Sequence, residues 1–271
     1  MSSKAMEYKE DGNRCFKQSD YAGAEALYTK AIINSPKSPA LYTNRAMARL
    51  KLELWESVIA DCESCIGLDP NNFKAYYYLS QAQLALEDYE AAVTSAVVAH
   101  EHCFKAGDKS LAAVTIQVRR AKKERWDWRE ARRVRQSHDL EKHVVSQMEK
   151  ERDQALQDVT DDSERGDIEK EFDDRIQAIT EVFEKSRPTA EKLRPVPNWA
   201  ICDISLEFFV DPVITRSGKS YERSCIMDYL RKKPEDPITR EPMLPSELRP
   251  NLDLKNACEE FLQENGWAVD Y

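Results

Sequence analysis

Gly12-Asn13-Arg14-Cys15-Phe16-Lys17-Gln18-Ser19-Asp20-Tyr21, followed by Tyr28, Ala31 and Pro36, decides the fold, because its pattern returns twice at a spacing of 34 residues. Gly12, Ala46 and Ser80 are all small. Tyr21, Trp55 and Tyr89 are all aromatic. Tyr28, Cys62 and Ala96 follow, then Ala31, Cys65 and Ala99. Pro36 and Pro70 close two of the units, and Phe104 stands where a third proline would. The physical meaning is a pair of antiparallel helices per unit. Small residues let two helices cross closely, and the aromatic fills the gap between neighbours.

In period and residue order, this pattern resembles the tetratricopeptide repeat. The resemblance predicts a three-repeat superhelix over 5–106, with the first helix of each repeat lining a concave face. Lys9 and Asn13 lie four apart and so share one helix face. Asn44 falls on the first helix of repeat two, and Lys74 starts that of repeat three. Two lysines and two asparagines offer charge-assisted bonds and amide donors to carboxylates. The set resembles the carboxylate clamp of chaperone-binding tetratricopeptide proteins. That resemblance implies that Lys9, Asn13, Asn44 and Lys74 hold the C-terminal Glu-Glu-Val-Asp tail of 70-kDa and 90-kDa heat-shock chaperones. It gives Tyr77 and Tyr78 the apolar part of the tail, with Tyr78 standing where many clamps carry a further basic residue. The plainer alternative is solvated lysines and helix-bracing asparagines. Cys62 and Cys65 form half of a zinc-like motif, but they occupy packing positions and read as core.

Composition bounds the rest. The chain has 271 residues, a length that suggests about two domains. A net charge of -9 argues against nucleic acid as the main partner. No apolar run approaches the roughly 20 residues of a membrane helix, and the first residues lack a signal peptide's apolar stretch. Seven cysteines in no framework spacing suggest reduced thiols, hence a cytoplasmic protein with the nucleus as an alternative.

Proline and glycine mark the boundaries. No proline lies between Pro70 and Pro188, and no glycine between Asp108 and Arg165, so the middle can be long helix. Residues 119–135 hold nine basic and three acidic residues; 158–174 hold nine acidic and two basic. A turn is expected at Thr160-Asp161-Asp162-Ser163. Two antiparallel helices of opposite charge would pair, and Phe172, Ile176, Ile179 and Phe183 form an a/d stripe. The expectation is a helical hairpin or coiled coil over 107–186, then a linker at 187–198 around Pro188, Pro195 and Pro197. Trp126 and Trp128 among the basic residues leave RNA binding as a weak reading, since a solvated basic face is commoner.

Residues 199–271 change character. Asp211-Pro212-Val213, Ser217-Gly218-Lys219-Ser220-Tyr221-Glu222-Arg223, Asp236-Pro237-Ile238-Thr239 and Pro250-Asn251-Leu252-Asp253-Leu254-Lys255 appear in order. Helices are expected at about 223–232 and after Pro250, in a small α+β module. Two cross-braced zinc sites would need eight ligands. The module offers Cys202, Cys225, Cys258 and no histidine, so no metal or other cofactor is expected. Hydrogen bonds from Ser217, Tyr221, Asp236, Thr239, Arg240 and Asn251 must fix its loops instead.

These strings resemble the U-box, a zinc-free relative of the RING finger. The resemblance implies that Ile204, Leu206 and Pro237 form the groove for a ubiquitin-conjugating enzyme, bordered by Tyr229. Arg240 would bond both that enzyme and its ubiquitin. The whole chain is similar to chaperone-linked U-box ubiquitin-protein ligases, which implies a mainly α protein, misfolded client proteins as substrates, homodimerisation through the middle, and no covalent enzyme intermediate. The alternative is a non-catalytic co-chaperone adaptor.

Overall fold

The computed structural model describes residues 2–157, 161–186 and 195–270. It divides into two compact units, one joining residues 1–125 to 196–271 and the other comprising 126–195. The expected turn residue Thr160, residues 187–194 of the expected linker, and Tyr271 lie outside the described residues.

In the first unit, six helices run as three pairs: α1 (Ser3–Lys17) with α2 (Tyr21–Asn34), α3 (Pro39–Lys51) with α4 (Trp55–Leu68), and α5 (Phe73–Ala85) with α6 (Tyr89–Lys105). Caps fix several starts. The Ser2, Asp20, Asn72 and Asp88 side chains accept the N–H groups of Ala5, Gly23, Ala75 and Ala91, and Pro39 occupies the first turn of α3.

The 34-residue pattern is the core itself. Tyr28, Cys62, Ala96, Ala31, Cys65 and Ala99 are all fully buried. Gly12 is buried so tightly that an added Cβ would lie 2.7 Å from the Tyr28 ring. A second recurrence has no signature in residue type. Ser19, Glu53 and Glu87 each adopt a left-handed φ, at 63°, 58° and 60°. Each lets the next N–H, of Asp20, Leu54 or Asp88, return to the carbonyl of Cys15, Arg49 or Gln83 at 2.9–3.0 Å, closing the turn between paired helices.

Charge is buried in the second pair. Asp61 is 2% exposed. It accepts from Arg45 at 2.5 and 2.9 Å and from Arg49 at 3.0 Å, and Arg49 also reaches Glu25 at 2.8 Å. Burial opposes the Arg45 charge, but the Asp61 bonds prevail and raise its pKa.

The first turns of α7 (Leu111–Gln157) close the array. Val118 and Ala121 join Leu84, Ala92, Val93 and Ala96 in one cluster. Gln117 Nε2 donates to Ser80 Oγ at 3.1 Å, and Ser80 Oγ donates to the Ala92 carbonyl at 2.9 Å. The small residue of the third repeat thus serves packing and hydrogen bonding together.

The C-terminal part of this unit holds a three-stranded antiparallel sheet in the order β2-β1-β3, from β1 (Pro212–Ile214), β2 (Ser220–Glu222) and β3 (Arg249–Pro250). Val213 pairs with Tyr221 on one side and Pro250 on the other. The turn between β1 and β2 uses Gly218 at φ 82°. Two helices, α9 (Arg223–Lys232) and α10 (Leu252–Glu264), pack on a core that includes Phe208, Phe209, Val213, Ile226, Leu230 and Met243. Asn251 caps α10, accepting the Leu254 N–H at 3.1 Å.

In the second unit, α7 continues to Gln157 and α8 spans Asp162–Ser186. Arg165 donates to the Leu156 carbonyl at 3.1 Å, and Arg152 lies 3.7 Å from Asp173. Phe172, Ile176, Ile179 and Phe183 are each partly buried, whereas Val134, Leu140 and Val182 on the same two helices are exposed.

Candidate functional site

The predicted clamp residues all lie on first helices of the pairs: Lys9 and Asn13 on α1, Asn44 on α3, Lys74 on α5. The structure brings Asn13 and Asn44 together, with Asn44 Nδ2 3.5 Å from Asn13 Oδ1. That same oxygen accepts from the Tyr28 hydroxyl at 2.8 Å. With its oxygen doubly engaged, Asn13 keeps its NH2 group for another acceptor. Lys9 precedes Asn13 by one helical turn. Lys74 opens α5 with its Nζ 5.9 Å from the centre of the Phe73 ring, and it is exposed. Tyr77 and Tyr78 contact each other with ring centres 5.6 Å apart but pack into different clusters. Tyr77 lies against Ala99, Cys103, Leu111 and Val114. Tyr78 lies against the second repeat's core, where burial pushes its hydroxyl up to about 12. Sequence reading did not find Tyr28's part here. Its position in the repeat signalled core, and the hydroxyl's reach to Asn13 is a property of the fold.

The other predicted site consists of two loops built on one hydrogen-bond plan. In the first, Leu206 N–H returns to the Cys202 carbonyl at 2.8 Å and Cys202 N–H to the Glu207 carbonyl at 2.9 Å. In the second, Arg240 N–H returns to Asp236 and Asp236 N–H to Glu241, both at 2.9 Å. Leu206 and Arg240, at matching places, both have φ of 57°. Short antiparallel bridges, Ile201 with Phe208 and Glu235 with Pro242, close the two loops at their bases. Leu206 and Arg240 are thereby turned outward, and both side chains are exposed.

The Asp236 carboxylate braces the second loop. It accepts Ile238 N–H at 2.8 Å, Thr239 N–H at 3.1 Å and the Ser217 hydroxyl at 2.9 Å. Burial opposes its ionisation, yet these bonds together lower its pKa. Asn251 Nδ2 donates to Ser220 Oγ at 2.9 Å, and Tyr221 is buried in the core. Of the six expected loop-fixing residues, Ser217, Asp236, Thr239 and Asn251 bond through their side chains, Tyr221 packs in the core, and Arg240 contributes its backbone N–H while its side chain is left at the surface.

The apolar surface of the loops is real. Ile204 is 39% exposed, Leu206 70% and Ile238 59%. Ile238 is absent from the sequence-derived set; its place beside Pro237 in the Asp236 loop was the available signal. Pro237 is partly exposed, and Tyr229 on α9 packs partly against the module's core. Glu207, next to Leu206, is paired with Arg119 of α7.

Residues 196–267 match the U-box domain family. Over 272 residues the chain is 34% identical to E3 ubiquitin-protein ligase CHIP of Arabidopsis thaliana, with 98% of this chain and 96% of the relative covered. The chain belongs to the CHIP family of E3 ubiquitin-protein ligases. Over 96 residues, 35% of this chain and 17% of the relative, it is also 36% identical to Hsp70-Hsp90 organizing protein 2 of the same plant. Among solved structures, it is similar to the TPR2B domain of yeast Sti1 in its complex with an Hsp70 peptide, with a TM-score of 0.43 and 31% identity over 44% of this chain and 97% of that one. As a CHIP-family ligase, the protein works with a ubiquitin-conjugating enzyme, and the exposed loop pair lies within the matched U-box.

Proposed function

We propose that this CHIP-family ligase ubiquitinates client proteins held by a 70-kDa or 90-kDa heat-shock chaperone, whose acidic C-terminal tail sits between α1, α3 and α5. The observation that carries this reading is the Asn13–Asn44 contact at 3.5 Å, with Lys9 one turn before it and Lys74 on the neighbouring first helix. Two ammonium groups and two amides are the donors that the terminal carboxylates of a free chain end require. Tyr77 and Tyr78 supply apolar surface beside them. On the U-box, Ile204, Leu206 and Pro237, with Ile238 and bordered by Tyr229, dock the conjugating enzyme, and Arg240 bonds enzyme and ubiquitin. Exposed apolar anchors on two rigid loops support this assignment.

The ligase supplies positioning rather than a nucleophile. Holding the thioester-loaded enzyme and a tethered client on one scaffold replaces a bimolecular encounter by a local one, and effective concentration provides much of the rate. Exposed Val134, Leu140 and Val182 on the helices of the second unit support a homodimer through 107–186. The unpaired cysteines are consistent with a reducing compartment, cytoplasm or nucleus.

The test is a reconstituted ubiquitination reaction on a client bound to a chaperone, alongside light scattering of the intact chain. Product should form with an unmodified chaperone tail and disappear when the tail is deleted, and scattering should give twice the chain mass. Equal product with and without the tail would overturn the clamp reading; modification of the client with no requirement for the U-box loops would overturn the docking reading.

A further inference from the structure

The two U-box loops share a hydrogen-bond plan, yet they differ in what holds the residue that closes it. Glu207 and Glu241 stand at matching places, each giving its carbonyl to the N–H that opens its loop, Cys202 or Asp236. The Glu241 side chain is exposed and makes no ion pair among the described residues. The Glu207 carboxylate is held by Arg119 of α7, whose Nη1 donates to Oε2. Asp203, the other acid of the first loop, pairs with Lys219 of the same module at 2.6 Å. Glu207 is held from outside that module, by the helix that seals the repeat array.

Arg119 is itself fixed. Its side chain is only 10% exposed. It lies on the turns of α7 where Val118 and Ala121 cover the third repeat and Gln117 bonds Ser80. Further contacts fasten the U-box to the array. Val210 packs against the cluster that contains Leu84, Val93 and Val118. The Arg223 guanidinium bonds Asp211 at 2.7 Å and lies 4.1 Å from the centre of the Phe104 ring on α6. Arg231 reaches the Gly107 carbonyl at 3.4 Å. With these contacts made, Ile204, Leu206 and Ile238 remain exposed. The array therefore supports the docking face without covering it.

The first loop has need of such support. Leu206 adopts a left-handed φ of 57°, a costly conformation for a residue with a side chain. Arg240 does the same in the second loop, where the Asp236 carboxylate accepts three hydrogen bonds beneath it. In the first loop the residue in the place of Asp236 is Cys202, whose Sγ accepts the Glu222 N–H at 3.2 Å. Sulfur is a weak acceptor, so the internal brace is weaker there.

We propose that Arg119 is a positioning residue for ubiquitin transfer: through Glu207 it holds the first docking loop in the shape that receives the conjugating enzyme. A loop already in its bound shape loses less freedom on docking, and affinity gains accordingly. The effect on the enzyme rests on the docking reading above; the hold on the loop does not.

The test uses the full-length protein and its Glu207→Gln, Arg119→Gln and double variants at pH 6. Burial pushes Glu222, the other carboxyl under the influence of Arg119, up to about 7. At pH 6 it is mostly neutral, and the Arg119 change is read through Glu207. Calorimetric titration with an uncharged ubiquitin-conjugating enzyme should give a Kd about fivefold weaker for each single variant, and no weaker for the double variant than for either single one. Hydrogen exchange should quicken in peptides covering 201–208 and stay unchanged in those covering 235–242. A loss for Glu207→Gln with none for Arg119→Gln would mean that Glu207 touches the enzyme directly, and would overturn the proposal. Additive losses, or faster exchange in both loops, would overturn it too. Should Arg119→Gln fail to fold, Glu207→Gln, at a half-exposed side chain, decides by itself: unchanged exchange over 201–208 overturns the hold. Leu206→Ala serves as the control for docking. If it leaves the wild-type Kd unaltered, the docking reading falls, and exchange alone judges whether Arg119 holds the loop.

Discussion

Glu222 ends β2 inside the U-box core, fully buried, and its two oxygens are treated unequally. Oε2 accepts the N–H groups of Val210 and Asp211 at 2.8 and 3.1 Å, while Oε1 has no hydrogen-bond partner among the described residues. Burial pushes the carboxyl from its ordinary 4.5 up to about 7, against the pull of those two N–H groups and of Arg119. A folded-state pKa above the unfolded one means that the native state binds the extra proton between these values. Stability therefore falls as pH rises through that window: the cost is absent below pH 4.5 and complete above pH 7. At about 1.4 kcal/mol per pH unit, the full cost is about 3.5 kcal/mol. Glu222→Gln retains an acceptor for Val210 and Asp211 and cannot ionise. Urea unfolding of the intact protein, followed by hydrogen exchange in peptides from 208–232, should show the wild-type U-box losing this amount between pH 4 and pH 8 relative to the variant. The variant should be less stable in acid, where its NH2 group lacks a partner, and more stable in base. Parallel pH curves for the two proteins would refute the argument.

Other consequences are as direct. Asp61→Ala should cost about 3–5 kcal/mol in urea unfolding of the repeat array, because it strands Arg45 and Arg49 without their buried counter-charge; a loss below 1 kcal/mol would show that water reaches the site. Lys9→Ala should weaken a chaperone-tail peptide by about 1.5–3 kcal/mol, the worth of a charged hydrogen bond, and amidating the peptide's terminus should be comparably harmful. Tyr28→Phe should lower tail affinity by about 1 kcal/mol through Asn13, with helix content unchanged; undiminished binding in calorimetry would free Asn13 from that role. Ile204→Ala and Pro237→Ala should each abolish ubiquitination while leaving circular dichroism intact, and full activity in both would refute the groove.

The repeat was legible because its packing is written in residue size. A residue that must sit under Tyr28 has to be small, and Gly12 is. The loops of the U-box were legible as loops because Asp-Pro and Ser-Gly pairs dictate turns. Four features were not. The left-handed residues Ser19, Glu53 and Glu87 carry no glycine to announce them. Asp61 and its arginines look like surface charges until the helices bring them together. Glu222 reads as a polar residue in a turn string, yet strand pairing drives it inward. Ile238 stands beside Pro237 in a string read as a loop, but its outward exposure appears only in the folded chain. In each case, local composition specifies the element, whereas the side chain's surroundings come from segments far along the chain.

The two braced loops also determine what the ligase asks of its surroundings. A finger pinned by metal needs a supply of that metal and comes apart when a chelator takes it. Here the pins are a carboxylate, a sulfur and backbone N–H groups, all made in translation and all in place once the chain folds. Such a module should keep its shape in a zinc-starved cell. The vulnerability it accepts in exchange is acid strong enough to protonate Asp236.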